Sequence, residues 1–136
     1  MGHNPTHLKI GELLGVTIQA RRKWNNTYIQ VKQEEEYSLL AAGEWIDLFI
    51  RSGPGGIEKP NSVQKLFAGR KRVPASNYFA LIGAIDRDMN SAFEIGNVKR
   101  KFHPPRDGIL YCFANDVPYA YWNNRGEVTL TVKRIM

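Results

Sequence analysis

Between residues 116 and 126 the chain gathers one carboxylate, Asp116, and two amides, Asn123 and Asn124, in a single connection that follows an apolar run. Oxygens of this kind are the ligands of a hard cation. Ca²⁺ takes roughly 6–8 of them at about 2.3–2.6 Å and completes its shell with backbone carbonyls; one formal charge makes a weak cage. The same residue types also build β-connections, because Asn, Asp, Pro and Gly tolerate tight and left-handed turns. The segment therefore reads both as a cation loop and as a plain turn.

No other segment offers a reacting constellation. His3 and His7 flank Pro5 without a cysteine or acidic cluster close by, which makes a poor metal pair. His103 lies in a basic, proline-marked connection with no nucleophile and orienting acid beside it. Ser52-Gly53-Pro54-Gly55-Gly56 lacks the Gly-Lys-Ser/Thr ending of a phosphate loop and reads as a turn. Glu34-Glu35-Glu36 reads as a solvated turn, since consecutive side chains of an extended segment point to opposite faces. Cys112 is the only cysteine. It excludes an intrachain disulfide and Cys-rich zinc chemistry, and its place in Ile109-Leu110-Tyr111-Cys112-Phe113 predicts a buried, inert thiol. The expectation is a non-enzyme.

The elements that must position this loop carry strand signals. Residues 16–20, 28–31, 37–41, 45–50, 79–85 and 109–115 are short, apolar and rich in β-branched and aromatic types, with turn residues between them. At the C-terminal end Val128, Leu130 and Val132 alternate with Thr129, Thr131 and Lys133, as in a half-buried strand. Helical spacing is not sustained anywhere, so only 11–14 and 61–67 are expected to form a helical turn. Between residues 51 and 77 the composition shifts to Gly, Pro, Ser, Lys and Arg, predicting a long functional loop. The pattern predicts an all-β, antiparallel β-sandwich or jelly roll with seven or eight strands; a closed barrel shares much of it. With 136 residues and 43% hydrophobic content, the expectation is one domain over residues 1–136, the first 11 forming an extension.

Nineteen Lys and Arg against thirteen Asp and Glu leave a net charge of +6. It is concentrated in Arg21-Arg22-Lys23, Arg70-Lys71-Arg72 and Lys99-Arg100-Lys101. Such clusters suit nucleic acid, an anionic glycan or an acidic neighbour, and equally a set of solvated loops. Nucleic-acid binding would also need aromatics interleaved with the charges on one surface, which the sequence does not reveal. No apolar run approaches the ~20 residues of a membrane span. The start, Met1-Gly2-His3-Asn4-Pro5, lacks the basic and apolar regions of a secretory leader. The expectation is a soluble protein, cytoplasmic when made and free to act later outside the cell or on a virion.

Longer stretches add a resemblance. Val16-Thr17-Ile18-Gln19-Ala20, then Trp24, Thr27, Ile29 and Val31, then Ala41-Ala42-Gly43 with Trp45, are followed by Phe79-Ala80-Leu81-Ile82-Gly83-Ala84-Ile85 and Phe93-Glu94-Ile95-Gly96. Gly126-Glu127-Val128-Thr129-Leu130-Thr131-Val132 forms the last strand. The most specific stretch begins Asn115-Asp116-Val117-Pro118 and ends Asn123-Asn124-Arg125-Gly126. On these residues the chain resembles the PA-I-type galactophilic lectins, a branch of the galactose-binding-like β-sandwich fold.

The resemblance implies that Asp116, Asn123 and Asn124 give side-chain oxygens to Ca²⁺, with carbonyls from Ala120 and from the position aligned with Asp47. It further implies that Asp116 and Asn123 touch the sugar and that Val117 contributes through its backbone. A calcium ion with two positions open takes adjacent sugar hydroxyls as ligands, so specificity follows hydroxyl stereochemistry. Where the family reads Glu-His-Pro-Asp and then glutamine, this chain reads Glu58-Lys59-Pro60-Asn61-Ser62. The second set of sugar contacts thus falls to Lys59 and Ser62, which puts galactose itself in doubt. Trp122, beside Tyr119 and Tyr121, stands where the family has a small residue; an indole there stacks on a pyranose, fills the pocket or anchors an interface.

Two readings follow. One is a carbohydrate-binding module using a calcium-assisted loop, residues 116–124, with residues 51–77 as the opposite wall. The alternative is a non-enzymatic structural or adaptor subunit of a larger assembly, such as a phage particle, that keeps the lectin-like fold without sugar binding. The implied partners are a carbohydrate or neighbouring protein subunits, in a homo-oligomer or a larger assembly.

Overall fold

Val128, Leu130 and Val132 are buried while Thr129, Thr131 and Lys133 face outward in a computed structural model. It describes residues 4–136, the side chain of Val63 excepted. The strands among them are β1 (Thr6–His7), β2 (Leu13–Gln19), β3 (Asn25–Val31), β4 (Tyr37–Asp47), β5 (Ile50–Ser52), β6 (Gly55–Ile57), β7 (Tyr78–Ile85), β8 (Asp88–Glu94), β9 (Val98–Phe102), β10 (Gly108–Ala114) and β11 (Asn124–Arg134). One short helix, α1 (Ser62–Leu66), and the 3-10 turns Ala68–Arg70 and Tyr121–Asn123 interrupt them. No helix among the described residues is long and apolar enough to cross a membrane.

The strands form two sheets rather than a closed barrel. One runs β1-β3-β10-β7-β6 with β8 also on β7; the other runs β2-β11-β4-β5 with β9 also on β4. Every pair is antiparallel except β1 on β3. The inward side chains of both sheets make one core, including Tyr37, Leu39 and Trp45 from β4 and Phe79, Leu81 and Ile85 from β7. Burial of each such side chain favours folding by roughly 1.5–3 kcal/mol. Trp45 fits there because its indole Nε1 donates to Phe79 O at 3.1 Å, joining the sheets. Cys112 is fully buried, and burial pushes its thiol well above the ordinary range.

Several elements differ from the sequence reading. Segments 37–41 and 45–50 are largely one strand, β4, with a turn at Leu48-Phe49. Gly43 lies inside this strand at φ +122, paired with Val128, and a Cβ there would lie 3.2 Å from Glu127 O, so the position suits glycine. Residues 11–14 form no helix; Leu13 and Leu14 pair with Lys133 and Val132 in the second sheet. Strands β8 and β9 were not legible from strand propensity, since each is polar and pairs along one side only. The stretch 51–77 carries β6 and α1 rather than running as open loop. Ahead of β2, Leu8 reaches the core and β1 docks on β3.

The glutamate run is also corrected. Glu35 is 5% exposed. It accepts bonds from His7 Nε2 at 2.8 and 2.9 Å and from the Tyr37 hydroxyl, and pairs with Arg134 at 2.9 Å. The turn at residues 33–35 rotates it inward, where alternation along an extended chain would not apply. His7 is thus an ion-pair partner, and His3 lies outside the described residues.

Candidate functional site

At the end of β10, Asn115 is fully buried and fastens two loops together. Its Nδ2 donates to Val73 O, Ser76 O and Asn77 O at 2.8–3.1 Å, and its Oδ1 accepts from Val73 N at 3.0 Å. This leaves Asp116, the next residue, at the base of a cleft and only 2% exposed. Its Oδ1 accepts the Val117 N–H at 2.7 Å. The chain then turns through Ala120, whose carbonyl accepts Asn123 N at 3.4 Å, into the 3-10 turn and β11.

Arg72 braces this loop from outside. Its N–H donates to Asp116 O at 3.0 Å, and its Nη1 donates to Lys23 O at 2.6 Å and to the Tyr121 hydroxyl at 3.0 Å. The guanidinium sits 3.5 Å from the centre of the Phe113 ring and 4.5 Å from that of Trp24. The basic clusters 21–23 and 70–72 therefore meet, but Arg72 faces aromatic rings, and Lys71 donates to Ser76 O. Lys99-Arg100-Lys101 lies apart on β9.

Register brings the second carboxylate. Asn124 of β11 pairs with Asp47 at the end of β4, so Asp47 joins the loop as a side chain and not only through its carbonyl. Gln64 of α1 donates from Nε2 to Asp47 Oδ2 at 2.7 Å. Gln64 is held by a reciprocal cap: its N–H bonds Asn61 Oδ1 at 2.8 Å, and its Oε1 accepts Asn61 N–H at 3.0 Å. That is a capping box, legible as Asn61-Ser62-Val63-Gln64.

Asp47, Asp116, Val117, Ala120 and Asn123 line one cavity of about 440 Å³, within the usual range for small-molecule sites. Asn124 is buried beside it. Lys59 and Ser62 are exposed and do not line it; Asn61, Gln64 and Phe67 supply that wall instead. Around the mouth stand Leu48, Phe49, Tyr119 and Trp122, with Phe49 83% and Trp122 71% exposed. Trp122 is therefore a rim residue rather than packing, while Tyr121 is the buried ring. Leu48 holds φ +58, a costly conformation for a bulky residue, in the tight turn that presents Phe49.

The electrostatics of this cavity are uncompensated. Burial, and next the charge of Asp47, push the Asp116 carboxyl up to about 6. Burial raises Asp47 as well, and its bond from Gln64 only partly offsets this. Tyr78 on the same wall is pushed up to about 12 by burial and by these two carboxylates. Asp116 Oδ2, Asn123 Oδ1 and Asn124 Oδ1 are buried with no hydrogen-bond partner among the described residues. Asn124 lies near enough to Asp116 to favour its ionised form slightly, yet its amide N–H is engaged by Ala20 O at 3.2 Å. No group of three or more His, Cys, Asp or Glu gathers among the described residues. Two carboxylates and two amide oxygens instead form an oxygen-only donor set, which fits a hard cation.

No family model and no curated protein matches the chain. Among solved structures it is similar to the EclA N-terminal domain, a PllA-like lectin, with a TM-score of 0.67 and 21% identity over 90% of this chain and 97% of that one. The fold is that of a lectin-like β-sandwich.

Proposed function

We propose that the chain is a non-enzymatic carbohydrate-binding module of the PA-I type, holding a sugar at a calcium ion bound by Asp47, Asp116, Asn123 and Asn124. The observation that carries this reading is the trio of partnerless buried oxygens, Asp116 Oδ2, Asn123 Oδ1 and Asn124 Oδ1, beside a second carboxylate. Leaving such groups unpaired costs about 1–3 kcal/mol each, more when charged, so their natural complement is a ligand that supplies positive charge. The carbonyls of Ala120 and Asp47 complete the proposed shell. The likeness to a lectin domain supports the sugar part of the reading.

Calcium, when bound, supplies a positive centre that accepts sugar hydroxyls as ligands. The residues of the chain do the rest. Asp116 and Asn123 offer acceptors to those hydroxyls, Val117 lines the same wall, and Trp122 and Tyr119 present flat rings at the mouth, where they cover an apolar sugar face. With Lys59 and Ser62 turned away, Asn61 and Gln64 are the polar groups left to read the far side of the ring. The preferred sugar therefore differs from one chosen by a histidine and glutamine.

Isothermal titration of Ca²⁺ into chelator-treated protein, then a glycan array with and without the ion, tests this. Uptake abolished in Asp116→Ala, together with an ion-dependent glycan signal, is the expected result. No uptake at millimolar calcium and no glycan signal would reject it in favour of a lectin-like scaffold used in an assembly.

A further inference from the structure

We propose that the end of the sandwich around the cavity mouth is a membrane-docking surface, which sets Phe49, Leu66 and Trp122 into the headgroup layer of an anionic lipid bilayer. The proposal is independent of the calcium and sugar reading, and it concerns contact with a bilayer surface, not a span.

Three separate connections each put a large apolar side chain into water at this end. The turn between β4 and β5 presents Phe49, the last residue of α1 presents Leu66, 77% exposed, and the 3-10 turn before β11 presents Trp122. Phe49 and Trp122 share the cavity mouth with Tyr119, and Leu66 adjoins Phe67 of the same wall. Apolar residues exposed singly are ordinary, whereas a cluster of them inside a polar rim marks an interaction site. The turn that presents Phe49 also carries Leu48 at φ +58, so backbone strain is spent on holding a phenyl ring in solvent.

Charge selects the occupant. Register sets Arg51 of β5 and Arg125 of β11 on either side of Ile46, next to the turn. Arg125 Nη2 donates to Leu48 O at 3.2 Å, which ties that guanidinium to the turn itself. On the other wall the Arg70 guanidinium lies 5.4 Å from the centre of the Phe67 ring, and Lys65 precedes Leu66. All four basic side chains are exposed. Among the described residues only Arg51 has a carboxylate within ion-pair reach, Glu44 at 3.9 Å, while Asp47 and Asp116 are buried in the cavity. Apolar tips inside a ring of cations match the two layers of a bilayer surface. The rings and the leucine sink about 5–10 Å to the headgroup and acyl boundary, and Lys and Arg stay level with the lipid phosphates. A protein partner would have to fit three separate tips around an open cavity, whereas a fluid headgroup layer conforms to them. Docked this way, the cavity opens toward the headgroups.

Cosedimentation of the full chain, in chelator, with sugar-free vesicles of phosphatidylcholine and phosphatidylserine in equal parts tests the proposal, with tryptophan fluorescence as a second readout. Wild type should bind these vesicles at least about tenfold more tightly than phosphatidylcholine alone and shift its emission to the blue. Trp45 is buried and Trp24 half-buried under Arg72, so the shift reports Trp122 and should vanish in Trp122→Phe. Phe49→Asp with Leu66→Asp should weaken binding at least about tenfold and leave circular dichroism unchanged, since both side chains are exposed. A net charge of +6 attracts any anionic vesicle, so position is the sharper test. Lys65→Ala with Arg70→Ala should weaken binding several-fold more than Lys99→Ala with Arg100→Ala. The latter pair removes the same charge on β9, where Lys99 pairs with Leu39, eight residues (47 − 39) and roughly 25 Å along β4 from Asp47. Binding without a blue shift, equal losses from the two charge pairs, or a Phe49 and Leu66 double variant that binds like wild type would overturn the proposal. Absence of vesicle binding would overturn it too, in favour of a protein partner for the patch.

Discussion

Two places in this sandwich bury acidic side chains, and they treat them in opposite ways. Glu35 is surrounded by donors. Burial pushes its carboxyl up, but the bonds from Tyr37 and His7 and the charges of His7 and Arg134 more than offset this and hold it below the ordinary range. At the other site burial raises both Asp116 and Asp47, and the charge of Asp47 raises Asp116 further; the Gln64 amide on Asp47, and the Val117 N–H and nearby Asn124 at Asp116, offset this only in part. The first arrangement is complete and ties the N- and C-terminal segments to the turn before β4. The second leaves Asp116 Oδ2 with no hydrogen-bond partner among the described residues. A buried carboxylate left short of partners in a cavity marks a place for a ligand, whereas one with several donors marks a structural joint.

The contrast can be broken most forcefully at the satisfied site. Glu35→Ala strands Arg134 and the Tyr37 hydroxyl and should destabilise the fold by about 3 kcal/mol, measured by urea unfolding. Because the folded carboxyl lies below its ordinary value near 4.5, the stability it contributes is present above that value and lost as pH falls through the lower folded one. Unfolding of wild type and Glu35→Ala should converge on acidification; parallel curves would show that the cluster contributes little.

At the unsatisfied site the sign reverses. Asp116 is raised from about 3.8 to about 6, so the native state keeps a proton that the unfolded chain has released, and stability falls as pH rises across that window. In chelator, Asp116→Asn should therefore stabilise the protein at neutral pH by on the order of 1–2 kcal/mol, while abolishing any stabilisation by added calcium. Calcium affinity of the wild type should weaken as pH drops through about 6, because the proton competes for the same oxygen. A variant that is less stable in chelator would mean that Asp116 already has its partner within the chain.

The smallest change sharpens the comparison from within the cavity. Gln64→Leu removes the one side-chain donor to Asp47 and half of the cap on α1, and should cost about 1 kcal/mol in thermal unfolding. It should also move the ionisation of Asp47 further upward, read from its carboxyl chemical shift.

The loop was legible because its chemistry is contiguous: Asp116, Val117, Ala120 and Asn123 are neighbours in sequence and in the cavity. The opposite wall was not, since the resemblance points to Lys59 and Ser62 by their place in a short stretch, whereas Gln64, capped by Asn61 at the start of α1, is the side chain that reaches Asp47. Strand propensity found the apolar strands but passed over β8 and β9, whose polar residues are tolerated at positions paired on one side.

The sequence by itself determined an all-β sandwich, through period-two patterning in strands such as β11 and the punctuation between them, and it named the oxygen-bearing loop. Only the tertiary structure decided that Asp47 stands beside Asn124 as a second carboxylate, and that Glu35 is sealed among donors. Both depend on contacts between residues far apart in the chain, such as the 77 positions that separate Asp47 from Asn124 (124 − 47), which strand register sets and local patterning does not contain.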